Sequence, residues 1–217
     1  MSLREHFGHE QLQVDAFVAG GIFTGNPAAV VFTHRDDQWM QNVATENNLA
    51  ETSFLQRIGV GQYKLRWFTP VREVELCGHA TLAAAHALYE THREPRGTIL
   101  SFHTVHSGVL AAAGQVDGSI TLSFPATPVS PYTMTETDTD KATSALGIDK
   151  KDIVYAGKSI YDTFIEISSD AFDSLSNIAY SAFEHFGGRG VIVTARGEGV
   201  DKRTAGCHFR SRCFFPL

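Results

Sequence analysis

This 217-residue chain has few of the features that mark secreted, membrane or nucleic-acid-binding proteins. Its three cysteines, Cys77, Cys207 and Cys213, are too few and too odd in number to form a disulfide framework. No apolar run approaches the length of a membrane span, and the polar start does not resemble a signal peptide. The net charge is −6 and no basic cluster appears, which argues against nucleic acid or an anionic membrane as partner. We therefore expect a cytoplasmic protein.

Recognisable cofactor and metal motifs are also missing. The chain has no phosphate-binding loop and no dinucleotide glycine fingerprint, so we expect no cofactor. Candidate metal ligands are scattered: Cys207 and His208 are adjacent, but no ligand spacing repeats, so we expect no metal site. With 43% hydrophobic residues, the chain is long enough for one sizeable core or two small domains.

The stretch from Tyr63 to Glu90 is the most informative part of the chain. Residues 64–69 alternate polar and apolar side chains, which predicts a half-buried strand that ends at Pro70. A glycine turn at Cys77–Thr81 then leads into Leu82–Leu88, which is apolar almost all round and so predicts a buried helix. The first amides of such a helix are unpaired and its dipole is positive there, so the turn is expected to attract an anion.

Cys77 and His79 place a thiol and an imidazole beside this helix start. The local positive field favours a neutral His79, which can accept, donate or carry a proton. The same field would lower the pKa of the Cys77 thiol. The alternative is structural: a glycine turn that simply caps a core helix, with Cys77 as a packing residue.

Glu51 is the third candidate, at the start of the predicted strand 51–56. A glutamate at a strand edge is usually solvated. Strands are depleted in glutamate, however, and Thr52 and Ser53 beside it could hydrogen-bond a substrate. The residue is therefore either a surface carboxylate or a functional one.

The rest of the chain alternates short strands, turns and short helices. Strands are predicted at 12–18, 28–32, 98–103, 108–113, 119–124, 152–156, 163–167 and 190–195, and helices at 38–47 (capped by Asp36 and Asp37), 141–146 and 170–176. Asp117-Gly118 predicts a hairpin turn, and the proline-rich segment 125–131 predicts a crossing between two lobes. The tail 209–216 repeats the pattern of 65–70, which suggests a weak internal duplication.

Four motifs in order carry a resemblance to a known family. They are Phe23-Thr24-Gly25-Asn26-Pro27-Ala28-Ala29-Val30, Asn48-Leu49-Ala50-Glu51-Thr52-Ser53-Phe54, Leu65-Arg66-Trp67-Phe68-Thr69-Pro70 and Leu76-Cys77-Gly78-His79-Ala80-Thr81. Together they resemble the phenazine-biosynthesis (PhzF-like) isomerase family. Phe124-Pro125 and the tail from Arg210 to Pro216 extend the match more weakly.

The resemblance implies an α+β fold like that of diaminopimelate epimerase. Two pseudo-symmetric lobes each wrap a barrel-like mixed sheet around a central helix, and the active site lies between them. Here residues 1–126 would form the N-terminal lobe, with its central helix at about 79–93, and residues 127–217 a partial C-terminal lobe. Family members continue into a further turn and a second central helix, so the resemblance implies that this chain is C-terminally truncated. The incomplete second sheet would then expose apolar strands such as 191–193.

The resemblance also implies roles for particular residues. Glu51 would be the general acid/base that moves a proton on a small carboxylate-bearing substrate, and His79 would assist it. The helix start at Gly78, Ala80 and Thr81 would bind the substrate carboxylate, with Asn26 and Cys77 completing the expected binding set. In the related epimerases a cysteine occupies the place of Cys77, and in PhzF-like proteins its role passes to Glu51.

Two other functions remain open at this point. The chain could be a non-catalytic binding or interaction protein whose open sheet is covered by a partner, or by a second copy in a homodimer. It could also be an epimerase or racemase that depends on Cys77.

Overall fold

The structure is a computed structural model that describes residues 9–18, 24–176, 178, 180–197 and 207–215. Phe23 and Pro216 of the sequence motifs lie outside the described residues. The chain divides into two compact units, Met1–Pro125 and Ala126–Leu217. The architecture is mixed α+β with two sheets. No helix in the described ranges is long and apolar enough to cross a bilayer.

The first unit is built on one large sheet. Its strands are β1 (Glu10–Ala16), β2 (Asn26–Phe32), β3 (Glu51–Gly59), β4 (Gln62–Phe68), β5 (Glu73–Val74), β6 (Ile99–His103), β7 (Val109–Gly114) and β8 (Ile120–Ser123), and its helices are α1 (Asp37–Asn47) and α2 (Gly78–Glu90). The strand order is β1-β2-β3-β4-β6-β7-β8, with β5 paired to β4. The pairs β2/β3 and β4/β6 are parallel and the other pairs antiparallel.

Helix α2 is the centre of this unit because it is apolar on nearly every side. Ala83, Ala84, Ala85 and Leu88 are fully buried. The helix contacts β1, β2 and β3 at one end of the strand order and β7 and β8 at the other, so the sheet curls around it. Alanine favours the helix and its small side chain lets the strands come close. The observed helix ends at Glu90, three residues before the predicted end at 93.

Helix α1 follows its sequence signals closely. The carboxylate of Asp36 accepts a hydrogen bond from the backbone N–H of Trp39 at 2.9 Å, which caps the first turn. Asn48 ends the helix in the left-handed conformation, with φ of 49°. Met40 and Val43 face the sheet and are buried, as the apolar spacing predicts.

A buried glutamate fastens the chain just beyond α2. Glu94 is only 2% exposed, and its Oε1 accepts hydrogen bonds from Tyr63 Oη at 2.8 Å, from the Gly61 amide at 3.2 Å and from Arg57 at 3.3 Å. Burial and this carboxylate raise the pKa of Tyr63 to about 12. Nothing in the sequence pattern distinguished this glutamate from a surface one.

The second unit contains a smaller sheet. Its strands are β9 (Ser130–Pro131), β10 (Ile153–Lys158), β11 (Asp162–Ile167), β12 (Gly190–Arg196) and β13 (Phe209–Phe214), its helices are α3 (Glu136–Leu146) and α4 (Ser169–Ser174), and 3₁₀ turns span Lys150–Asp152 and Tyr180–Phe186. The order is β13-β12-β11-β10-β9, with only β11/β12 parallel among these described pairs.

Helix α3 begins five residues earlier than the sequence pattern suggests, at Glu136 instead of Lys141. Thr135 and Asp138 form a capping box: the Thr135 hydroxyl accepts from the Asp138 amide at 3.1 Å, and the Asp138 carboxylate accepts from the Thr135 amide at 3.3 Å. These two side chains stabilise the start of the helix in a polar segment that has no apolar periodicity.

The predicted exposure of the apolar strand at 191–193 is wrong for two of its three residues. Val191 and Val193 are fully buried, whereas Ile192 is half-buried on the opposite face. The 3₁₀ turn at Tyr180–Phe186, which the sequence did not reveal, packs Phe183 against the same core. The second unit therefore has a hydrophobic core of its own within the described residues.

We expect Leu88→Ala to lower the free energy of unfolding by about 2–5 kcal/mol, because it would leave a cavity beside a helix enclosed by the sheet. Val116→Ala is the control, since Val116 is fully exposed, and it should change stability by less than about 0.5 kcal/mol. Urea unfolding followed by circular dichroism measures both. Equal stabilities of the two variants would contradict the central position of α2.

Candidate functional site

The alternation of β3 aims Glu51 at helix α2. Successive side chains of a strand point to opposite faces, so Glu51, Ser53 and Leu55 share one face. Leu55 packs in the core that surrounds α2, whereas Phe54 packs in the separate cluster beneath α1. The carboxylate of Glu51 therefore lies on the inner face of the sheet and not on its outer surface.

A hydrogen bond ties this strand to the start of α2. The hydroxyl of Ser53, which is fully buried, donates to the carbonyl oxygen of Ala80 at 2.8 Å. Thr52, on the other face, accepts a hydrogen bond from Asn47 and is 1% exposed. The expectation that Thr52 and Ser53 bind a substrate is therefore wrong, because both are buried and the hydroxyl of each is already in a hydrogen bond within the fold.

The structure brings Glu51, Cys77 and His79 together. Oε2 of Glu51 lies 3.1 Å from Nε2 of His79, and Sγ of Cys77 lies 3.4 Å from Nδ1 of the same ring. The imidazole thus sits between the carboxylate and the thiol. The side chains of Glu51 and His79 are 19% and 12% exposed, so the pair is largely withdrawn from water.

Polar atoms on this face lack hydrogen-bond partners among the described residues. Oε2 of Glu51 and Nε2 of His79 are buried and in contact, but no aligned hydrogen bond joins them. Nε1 of Trp67 is also buried without a partner, and Trp67 is the register neighbour of Ser53 on β4. Buried polar groups are nearly always hydrogen-bonded in native proteins. Their clustering on one face of the sheet is typical of a site whose partners come from a ligand.

The start of α2 faces open space. A Cβ built on Gly78 would meet no heavy atom within 4 Å beyond its chain neighbours and the helix backbone, and Gly78 is exposed. The amides of Gly78, His79 and Ala80 open the helix, where the dipole favours an anion. Thr81 is different, because its hydroxyl and amide both donate to the Cys77 carbonyl, at 2.6 Å and 3.3 Å. Both donors of Thr81 are therefore already in hydrogen bonds within the first turn of α2.

The predicted lowering of the pKa of Cys77 is wrong. Burial raises the pKa of the thiol, and the nearby Glu51 carboxylate raises it further, while the amides of Ala80 and His79 oppose this only partly. The thiol is therefore protonated at neutral pH. The prediction failed because it counted the field of the helix and left out the loss of water and the neighbouring negative charge.

Asn26 begins strand β2 at the same end of the sheet as Glu51. Ala28 of β2 is the parallel register partner of Glu51, which places Asn26 two residues upstream at that edge. Its side chain is exposed.

Sequence reasoning missed that Glu51 points inward and that the indole of Trp67 is unpaired. Strand alternation, counted from Leu55 and Leu65, could have indicated the inward direction of both side chains.

Two recesses lie elsewhere among the described residues. One of about 500 Å³ borders Thr143, Asp149 and Asp152 in the second unit. The other, of about 260 Å³, borders Thr33, Arg57 and Arg93 in the first. Neither is lined by Glu51 or His79. We place the candidate site by its unpaired polar atoms and not by cavity size.

Comparisons with known proteins show which family the chain is similar to. The family described as phenazine biosynthesis-like protein, PhzC-PhzF, matches residues 14–217. An uncharacterized isomerase of Halalkalibacterium halodurans is 41% identical over 205 residues, which cover 94% of this chain and 72% of that protein. Phenazine biosynthesis-like domain-containing protein 2 of Mus musculus is 36% identical over 219 residues, covering 93% of this chain and 74% of that protein.

Solved structures show the same fold. A PhzF-family phenazine biosynthesis protein from Enterococcus faecalis matches with a TM-score of 0.77 at 35% identity, covering 96% of this chain and 74% of that chain. A predicted epimerase from Pseudomonas aeruginosa matches with a TM-score of 0.64 at 19% identity, covering 86% of this chain and 70% of that chain, which shows the fold alone. The mixed α+β architecture is thus that of the PhzF and epimerase-like proteins.

The chain belongs to the phenazine biosynthesis-like (PhzF) family. The family and the fold class expected from the four sequence motifs are confirmed. The chain spans 72–74% of the length of the relatives named above.

We expect Cys77 to react with iodoacetamide far more slowly than Cys207 at pH 8, because it is buried and its raised pKa leaves little thiolate. Peptide mass spectrometry of samples quenched over time measures each rate separately. After unfolding in guanidinium chloride the difference should disappear. Labelling of Cys77 in the folded protein as fast as that of Cys207 would contradict its burial.

Proposed function

We propose that this chain is an isomerase that moves a proton on a small carboxylate-bearing substrate by general acid/base catalysis. The observation that carries the proposal is the contact of 3.1 Å between Oε2 of Glu51 and Nε2 of His79, two buried atoms without aligned hydrogen bonds at the start of α2. Support also comes from relatives in the same family that are named isomerases.

Glu51 is the proposed base. Its carboxylate would take a proton from a carbon of the substrate, which requires a base at contact distance. His79 lies beside the same oxygen and would hold the carboxylate in place through its ring nitrogen. Glu51, now protonated, would return the proton to a different carbon, and the net result would be an isomerisation.

The start of α2 is the proposed anion site. Removal of a proton next to a carboxylate builds negative charge on the substrate oxygens. The amides of Gly78, His79 and Ala80 would stabilise that charge, because they are fixed by the helix and lie where its dipole is positive. Asn26, at the same edge of the sheet, would be a further contact for the substrate.

Cys77 is a weaker candidate for the base than Glu51. Its thiol is protonated because burial and the Glu51 carboxylate raise its pKa. A base must be deprotonated to take a proton, so the carboxylate is better suited to the task at neutral pH. We therefore assign Cys77 to the wall of the substrate site, and the proposed steps need only side chains and amides of the chain.

We expect Glu51→Gln to lower proton exchange at the substrate carbon by about 100-fold or more, because it removes the base without changing the size of the side chain. The measurement is deuterium incorporation in D2O, followed by proton NMR, over a panel of small organic acids that carry a C–H bond next to the carboxylate or conjugated with it. Glu75→Gln is the matched control, since it makes the same change at an exposed glutamate two residues before Cys77.

Three results would count against this proposal. Exchange that persists in the Glu51→Gln variant would remove Glu51 from the role of base. A folded wild-type chain that exchanges none of the acids would argue for the non-catalytic alternative. Loss of exchange in both the Glu51 and the Glu75 variants would mean that charge near the site, and not a particular base, is responsible.

We expect Gly78→Ala to separate stability from function. Alanine favours helices by roughly 0.5–1 kcal/mol over glycine, and the space around Gly78 is open, so the free energy of unfolding should be unchanged or slightly higher. The added methyl group would stand where a carboxylate must approach the helix amides, so substrate exchange should fall. Thermal unfolding and the same NMR assay measure the two effects. Full activity in this variant would mean that the substrate does not bind at the amide of residue 78.

A further inference from the structure

We propose that Glu51, Cys77 and His79 also form a binding site for a zinc-type divalent cation. Each residue offers one ligand atom, and the three atoms lie within 4.8 Å of one another. No ligand spacing in the sequence indicates such a site, because the glutamate lies on β3 and the other two residues lie at the start of α2.

The three ligand atoms are close together, but their spacing is wider than in a bound zinc site. Zinc binds sulfur, nitrogen and oxygen ligands at about 2.0–2.3 Å in a tetrahedral arrangement, which places neighbouring ligand atoms about 3.3–3.7 Å apart. Glu51 Oε2 and His79 Nε2 are 3.1 Å apart, whereas Cys77 Sγ is 3.4 Å from the other ring nitrogen, Nδ1. A single ion binds only one of these nitrogens, and the three ligand atoms lie within 4.8 Å of one another. Small side-chain rotations would bring one ring nitrogen, the thiol sulfur and the carboxylate oxygen around a common centre. A fourth position would remain for water.

The donor set selects the kind of ion. A thiolate, an imidazole and a carboxylate together suit zinc and similar transition metals, whereas magnesium and calcium prefer oxygen ligands alone. On binding, the Cys77 thiol gives its proton to solvent. The two negative ligands then balance the charge of the dication, so the largely buried site becomes neutral.

Binding of the ion would replace the contact between Cys77 Sγ and His79 Nδ1 and would pair atoms that now lack partners. Glu51 Oε2 and His79 Nε2 have no aligned hydrogen bonds within the described residues, so coordination would satisfy two polar atoms that are otherwise unpaired. The Ser53 hydrogen bond to Ala80 already fixes β3 against α2. The positive end of the helix dipole opposes a cation, but two directly bound anionic ligands outweigh a partial charge of that size.

Metal binding would also regulate the proposed reaction. A zinc ion held by Glu51 and His79 would occupy the proposed base and the side chain that holds it in place, so it would inhibit the isomerase. This consequence rests on the proposed function, whereas metal binding itself does not.

The test uses Co²⁺ as a spectroscopic probe, followed by competition with Zn²⁺. Cobalt bound to a thiolate absorbs in the near ultraviolet, and zinc removes the band as it replaces cobalt. The exposed thiols must be absent, because Cys207 and His208 are adjacent and could bind metal on their own. The starting protein is therefore the double variant Cys207→Ser/Cys213→Ser.

The double variant is expected to bind one equivalent of cobalt with a thiolate band. Cys77→Ser in this background should abolish the band. Glu51→Gln should weaken the affinity by about 100-fold or more, since loss of even an outer partner of a metal ligand costs 10–100-fold. Glu75→Gln is the control and should bind like the double variant. Circular dichroism spectra confirm that each variant is folded.

Some outcomes would overturn the proposal. Absence of the band in the folded double variant would show that Cys77 does not bind the metal. A band that survives Cys77→Ser in this background, where no cysteine is left, would show that the band does not come from the Cys77 thiolate. The activity assay separates this proposal from the previous one: zinc that binds at Cys77 without inhibiting exchange would contradict the catalytic roles of Glu51 and His79, whereas exchange without metal binding would contradict only the metal site.

Discussion

The hydrogen bond from the Ser53 hydroxyl to the Ala80 carbonyl is the interaction on which the candidate site depends. It joins the strand that carries Glu51 to the first turn of the helix that carries His79, and both of its atoms are buried. Two residues upstream of Ser53 on the same strand face, Glu51 must then lie against that turn. The contact between carboxylate and imidazole follows from this register, and so does the proximity of Cys77.

Much of the fold of the first unit could be predicted from the sequence because its local signals agree with its tertiary packing. The alanine-rich segment after Gly78 is apolar all round, and it is the helix enclosed by the sheet. Asp36 and Asn48 mark the two ends of α1 by capping chemistry. The fold of the second unit was harder to predict. The start of α3 depends on a capping box in a polar segment, and the sequence of the 3₁₀ turn around Phe183 has no apolar periodicity.

The residues of the candidate site could be named from sequence, but their surroundings could not. Cys77 and His79 are adjacent to the same glycine, so their proximity is local. The approach of Glu51 is a long-range contact, and only the family resemblance suggested it. The raised pKa of Cys77 is the clearest example of a property that local sequence does not reveal. Its causes are burial and the Glu51 carboxylate on strand β3, and neither can be read from the turn that contains Cys77. The burial of Thr52 and Ser53, on opposite faces of β3, was missed for the same reason.

The protonated state of Cys77 has a consequence for the chemical environments that the protein can tolerate. Peroxide attacks thiolates far more readily than thiols, and the products are sulfenic and then higher oxidised acids. A buried thiol that stays protonated is a poor target for that attack. The carboxylate and the imidazole beside it do not undergo this chemistry, so the cluster should survive an oxidative burst that would inactivate an enzyme built around a reactive cysteine.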